Sequence, residues 1–179
     1  MAAGSGHQPE CILIAGDSAG GGLSLATLAA LRDAGRPLPA GAVLLSPLTD
    51  MAHTGASVDE RAHLDPIVTP EGSHAYSTRY LGEDGDFDLP YASPVYAELA
   101  GLPPVLVVVG TEELLFDDSV RVVRKIKDAG GSADLDVWPN MIHIFPFFAS
   151  QIPESQRAME YIARFARQRL GLEQTGTSR

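Results

Sequence analysis

Ser18 stands in the run Gly16-Asp17-Ser18-Ala19-Gly20-Gly21-Gly22, with glycine two places to either side. A serine hydroxyl attacks a carbonyl only when a base takes its proton, and the base needs a carboxylate to orient it. Both partners exist further along. Five histidines compete for the base: His7, His53, His63, His74 and His143. Only His143 closes a loop that follows an apolar, strand-like run late in the chain. Four carboxylates compete for the acid, Glu112, Glu113, Asp117 and Asp118. The order serine, acid, histidine suits a nucleophile on a strand-to-helix turn. In such a turn the flanking glycines leave room that Cβ atoms would fill. The backbone N–H of Ala19 then faces an oxyanion forming on the substrate.

These side chains need elements to carry them. Cys11–Ala15 reads as an apolar strand buried on both faces, and Ala19–Ala34 as an Ala- and Leu-rich helix packed deeply. Ala42–Ser46 reads as the next strand, which makes one βαβ unit. Met51–Asp65 has no periodicity and reads as loop. Thr69-Pro70-Glu71 opens a helix to about Leu81, with Thr69 as N-cap and Pro70 at the first helical position. Val105–Val109 is a central parallel strand, followed by a helix over 115–129. Leu135 and Val137 mark a shorter fourth strand near a sheet edge, and Pro153 starts a last helix to about Leu170. Asp117 and Asp118 fall in a helix first turn, where they have a structural use. Glu112 and Glu113 lie nearer the strand end.

Composition bounds the alternatives. The 179 residues suffice for one domain with a sizeable core, and 45% hydrophobic against 20% charged residues is ordinary for a globular chain. A net charge of −10 argues against a nucleic-acid or anionic-membrane surface. No stretch approaches the roughly 18–20 apolar residues of a membrane span, and the start lacks a secretory signal core. A cytoplasmic location is the expectation. Cys11, the one cysteine, reads as a buried small apolar residue. Glu83, Asp84, Asp86 and Asp88 read as a solvated loop; the ligand alternation of a calcium loop is missing.

Several segments together resemble the hormone-sensitive-lipase-like (bacterial family IV) carboxylesterases of the α/β-hydrolase fold. They are Gly16-Asp17-Ser18-Ala19-Gly20-Gly21, Ser46-Pro47-Leu48-Thr49-Asp50, Tyr91-Ala92-Ser93-Pro94-Val95-Tyr96, Leu102-Pro103-Pro104, Gly110 to Ser119, and Trp138-Pro139-Asn140-Met141-Ile142-His143. The resemblance runs from Glu10 to about Leu170. It implies the C-terminal half of an α/β-hydrolase, a mainly parallel sheet of about four strands flanked by helices. It places the acid at Glu113, with Glu112 and Asp117 as the other candidates. It implies short-chain acyl esters as substrates, with no metal and no cofactor. The family's His-Gly-Gly-Gly oxyanion loop, expected well before the serine, has no counterpart in these residues.

The expectations are therefore specific. Residues 1–9 form a loose linker remnant, 10–171 a partial hydrolase domain and 172–179 a frayed tail. The chemistry is that of a serine carboxylesterase acting through Ser18, His143 and Glu113, with Ala19 N–H as one oxyanion donor and weak activity while other donors are missing. Asp17, Met141, Ile142 and Phe145 are candidate substrate contacts; packing is the simpler role for most of the apolar ones. The first strand would present a bare edge, covered by a second copy or by a separate N-terminal portion. A truncated form, a mis-called gene start or an incomplete clone would each produce such a chain. The rival readings are a non-catalytic interaction module on the same fold, or a lactonase, amidase or peptidase sharing the triad.

Overall fold

A strand made only of Val and Leu has no wet face, so it must lie between two covered ones. Val105–Gly110 (β3) meets that condition, with every residue buried. The computed structural model describes residues 7–172, and within them four strands form one parallel sheet. These are Leu13–Asp17 (β1), Gly41–Leu45 (β2), β3 and Ala133–Trp138 (β4), hydrogen-bonded in the order β1-β2-β3-β4. Asp17 pairs with Leu45, Leu45 with Val108 and Gly110 with Trp138. The strand ends therefore share one rim, and the loops leaving them meet there.

Parallel strands need crossovers, and two helices supply them on one face. Ala19–Asp33 (α1) brings Leu25 and Leu28 against Ala42, Leu44, Val105 and Val107. Phe116–Asp128 (α4) adds Val122, Val123 and Ile126 to the same cluster. The opposite face is covered by Pro153–Arg169 (α5), whose Ala158 and Phe165 pack on Val43, Leu106 and Val108 together with Phe145. A third cluster, Leu48, Met51, Leu114 and Leu115, sits above the rim. It is roofed by residues around Ser57–Glu60 (α2) and Pro70–Leu81 (α3). Thr69 caps α3 as its sequence requires, its Oγ1 accepting the Gly72 N–H at 3.1 Å. Among the described residues no helix is long and apolar enough to cross a membrane.

Several expectations are corrected. β1 begins two residues late, because Pro9–Cys11 forms a 3-10 turn first. Cys11 is exposed, not buried, since it precedes the strand. β1 is the sheet edge among the described residues and is only half-covered, unlike β2 and β3. β4 matches β3 in length at six residues, although it is the other edge. Leu23 on α1 is 65% exposed, so that helix is not buried all round. The segment expected as loop contains α2, and a second 3-10 turn, Phe145–Phe148, follows His143. Glu83, Asp84, Asp86 and Asp88 are exposed, as a solvated loop requires. The stretches 1–6 and 173–179, expected to be loose, lie outside the described residues.

Candidate active site

The turn between β1 and α1 puts Ser18 at φ 48° and ψ −120°, a conformation that L-residues avoid. Its N–H is held by the Leu45 carbonyl at 2.8 Å. Its own carbonyl accepts from Gly21 at 3.0 Å, Gly22 at 3.2 Å and Leu48 at 2.9 Å. Those bonds use the N–H groups of Gly21 and Gly22 and leave the Ala19 and Gly20 N–H groups at the open end of the helix, where the helix dipole is positive. A Cβ on Gly16 would run into the backbone of Gly20, and one on Gly22 into the Leu48 carbonyl. A Cβ on Gly20 would meet nothing within 4 Å. The expected steric demand thus holds on the strand side of Ser18 and moves, on the helix side, from Gly20 to Gly21 and Gly22.

Across the rim, β3 ends at Gly110, where a Cβ would strike the Met141 carbonyl. That close approach lets the β4 loop lie on the β3 loop. Thr111 N–H donates to the Trp138 carbonyl and Glu112 N–H to the Met141 carbonyl, both at 3.0 Å. The result brings Glu113 to His143, with Oε2 and Nδ1 3.2 Å apart. Glu113 is 0% exposed and His143 2%. Oε1 of Glu113 also accepts from Gly110 N–H at 2.6 Å and Ser46 Oγ at 2.8 Å. Burial pushes the Glu113 carboxyl above the ordinary glutamate range; the contacts with His143, Gly110 and Ser46 pull it back only in part.

The other acids have separate partners. Glu112 accepts from the Thr111 hydroxyl at 3.2 Å, and Asp117 from Ser57 N–H at 3.0 Å. Asp118 takes Thr49 N–H at 2.6 Å, Thr49 Oγ1 at 3.2 Å and Asp50 N–H at 2.9 Å. Burial, aided by the Asp50 charge, raises Asp118 to about 7 against those bonds. Burial would raise Asp50 as well, but hydrogen bonds from Thr54 and Arg121 outweigh it and hold that carboxyl low. Among the described histidines, His143 alone forms a carboxylate pair. His7, His63 and His74 are exposed, and His53 meets Ser77 Oγ at 2.9 Å.

A family model for the alpha/beta hydrolase fold matches residues 2–147. The chain belongs to the α/β-hydrolase family. Among solved structures, an esterase from the bacterial hormone-sensitive lipase family superposes with TM-score 0.90 at 46% identity, covering 93% of this chain and 56% of that one. A hormone-sensitive lipase from a metagenome library gives TM-score 0.88 at 36% identity, covering 91% and 55%. An acetyl-hydrolase of Streptomyces hygroscopicus is 40% identical over 166 residues, 93% of this chain and 55% of its own length. An esterase of Acinetobacter venetianus is 35% identical, over 90% and 53%. The chain spans about half the length of the curated relatives it matches.

In this α/β-hydrolase chain Ser18 and Ala19 open onto a cleft of about 210 Å³. Its walls come from Leu48, Leu115, Ile67 and Val68 just before α3, and Tyr76 within it. Ile67, Val68 and Tyr76 carry no sequence signal beyond the Thr69-Pro70 helix start between them. Met141, Ile142 and Phe145 do not line that cleft; all three pack in the cluster under α5, and the Phe145 ring lies 5.6 Å from the Trp138 ring. Met141 and Ile142 are half-buried there, and Phe145 is buried. Asp17 ends β1 half-buried, with no wall position in the cleft. Among the described residues no hydrogen bond joins Ser18 Oγ to His143. Residues 51–65 reach the site in ways their sequence does not announce. Ser57 Oγ donates to the Leu114 carbonyl at 2.7 Å, and Asp65 Oδ2 accepts Leu114 N–H at 3.0 Å. Arg61 donates to the Thr111 carbonyl and lies over the Phe116 ring.

Proposed function

We propose that this chain carries the chemistry of a serine carboxylesterase. Ser18 Oγ attacks the ester carbonyl carbon while His143 Nε2 takes its proton. Glu113 holds the ring through Nδ1, which leaves Nε2 facing the nucleophile. The Ala19 N–H receives the oxyanion. His143 then protonates the departing alcohol, and the acyl group stays on Ser18 until water, activated by the same imidazole, releases the acid. The single observation that carries this reading is the buried Glu113–His143 pair on the rim that also bears the strained Ser18. The modest cleft with apolar walls supports short acyl esters over long ones. So do relatives whose names are esterase and acetyl-hydrolase.

The same reading leaves the outer edge of β1 to a partner strand, from a second copy or from a separate N-terminal portion of the fold. One observation favours the non-catalytic alternative: Ser18 Oγ and His143 share no hydrogen bond among the described residues. Hydrolysis of p-nitrophenyl acetate by the purified chain, beside Ser18→Ala, separates the two. Turnover that disappears with Ser18→Ala is the expected result. Equal rates in both proteins, at the level of buffer, overturn the esterase reading.

A further inference from the structure

We propose that Ser46 is a positioning residue of the site: its hydroxyl ties the Glu113 carboxylate to the backbone that carries His143. The inference rests on the roles proposed above for Glu113 and His143.

Ser46 follows β2 and is fully buried. Its N–H is fixed by the Val108 carbonyl of β3 at 2.9 Å. The hydroxyl donates to Glu113 Oε1 at 2.8 Å and accepts the Ile144 N–H at 3.0 Å. Ile144 is the residue next to His143 and is itself left-handed, at φ 50°. One oxygen therefore contacts the acid and the peptide that orients the base, and it fills both its donor and an acceptor site in doing so. Without it the two loops meet through the Glu113–His143 contact, the Asn140 N–H bond to Thr111 Oγ1 and neighbouring backbone bonds.

The backbone excludes a simple packing role. Ser46 sits at φ 47°, where glycine is comfortable and any side chain is strained. A buried filler at this place would be glycine. Serine accepts the strain and supplies a hydroxyl that is bonded on both sides. An unbonded Ile144 N–H and a carboxylate short of one donor would be the outcome of losing it.

Ser46→Ala and Ser46→Gly divide the possibilities, because they share the lost hydroxyl and differ in backbone comfort. The readout is the pH titration of the Glu113 side-chain carboxyl carbon by NMR, its signal identified by Glu113→Gln. It needs no turnover, so it stands apart from the esterase test. With a donor removed, the midpoint should rise in both variants by about 1–2 pH units. Thermal melting should differ between them, with Ser46→Gly the more stable. A Glu113 midpoint that stays at the wild-type value in Ser46→Gly overturns the proposal, whatever Ser46→Ala does. If Ser46→Ala does not fold, Ser46→Gly alone decides.

Discussion

The two sides of the rim are built differently. Glu113 and His143 lie in loops that cross-bond to each other, to Ser46 and to the segment around Ser57 and Asp65, and both side chains are sealed from water. Ser18 follows the half-covered edge strand; Ile12, just before the strand's other end, is 41% exposed, and Leu23 on α1 is 65% exposed. The acid and base are organised by contacts within this chain. The nucleophile is organised by its own turn and by two backbone bonds, to Leu45 and Leu48. Buried polar networks are costly when broken, whereas an edge turn is fixed by local sterics. Substitutions on the two sides should therefore fail in different ways.

The largest effect is expected at Glu113. Its truncation in Glu113→Ala strands His143 Nδ1, Ser46 Oγ and Gly110 N–H in the interior, and should lower stability by about 3–5 kcal/mol in urea unfolding. A loss below about 1 kcal/mol would mean that the sealed side is not the rigid one. On the open side, Gly16→Ala drives a methyl into the Gly20 backbone and should cost about 3 kcal/mol. Gly20→Ala meets nothing and gains helix propensity, so its stability should hold or rise by up to about 1 kcal/mol. Equal losses at the two glycines would contradict the asymmetry of the turn.

A smaller effect concerns Asp118, which anchors the turn after β2. Its native carboxyl, at about 7, binds a proton more tightly than the unfolded one near 3.8. Between those values the native state holds more protons, so this group's contribution to stability falls as pH rises from about 4 to 7 and levels off above. All three donors reach Oδ2, so Asp118→Asn can keep them. Melting temperatures of the variant should lack that decline over the same range. An unchanged slope would assign it to other groups. The smallest effect is expected at the edge: Ile12→Lys should alter stability by less than about 0.5 kcal/mol while weakening any self-association seen by size exclusion.

Strands and the long helices were legible because apolar periodicity and Thr-Pro or Gly punctuation are local signals. Their ends fall within two residues of expectation even at β1. The serine turn and the histidine loop were legible for the same reason, as glycine- and proline-marked breaks after strands. Glu113 was separable from Glu112 and Asp117 only through family resemblance, since all three share one segment and the choice depends on which carboxylate the β4 loop covers. Ser57, Asp65 and Arg61 were invisible. Their partners lie 49 to 60 positions away, and no periodicity marks a segment held by side-chain bonds to a distant backbone. Cys11 misled because the buried strand was expected two residues too early, on an edge that has only half a cover.

The central claim is that the sealed pair acts on the half-buried Ser18. A fluorophosphonate modifies an activated serine without needing a complete substrate site, and intact-mass spectrometry counts the adducts. The account predicts one adduct on the wild-type chain, none on Ser18→Ala, and labelling slowed by roughly 10²–10⁴ in His143→Ala. Wild-type and His143→Ala chains labelled at the same rate, or a wild-type chain not labelled at all, would contradict it.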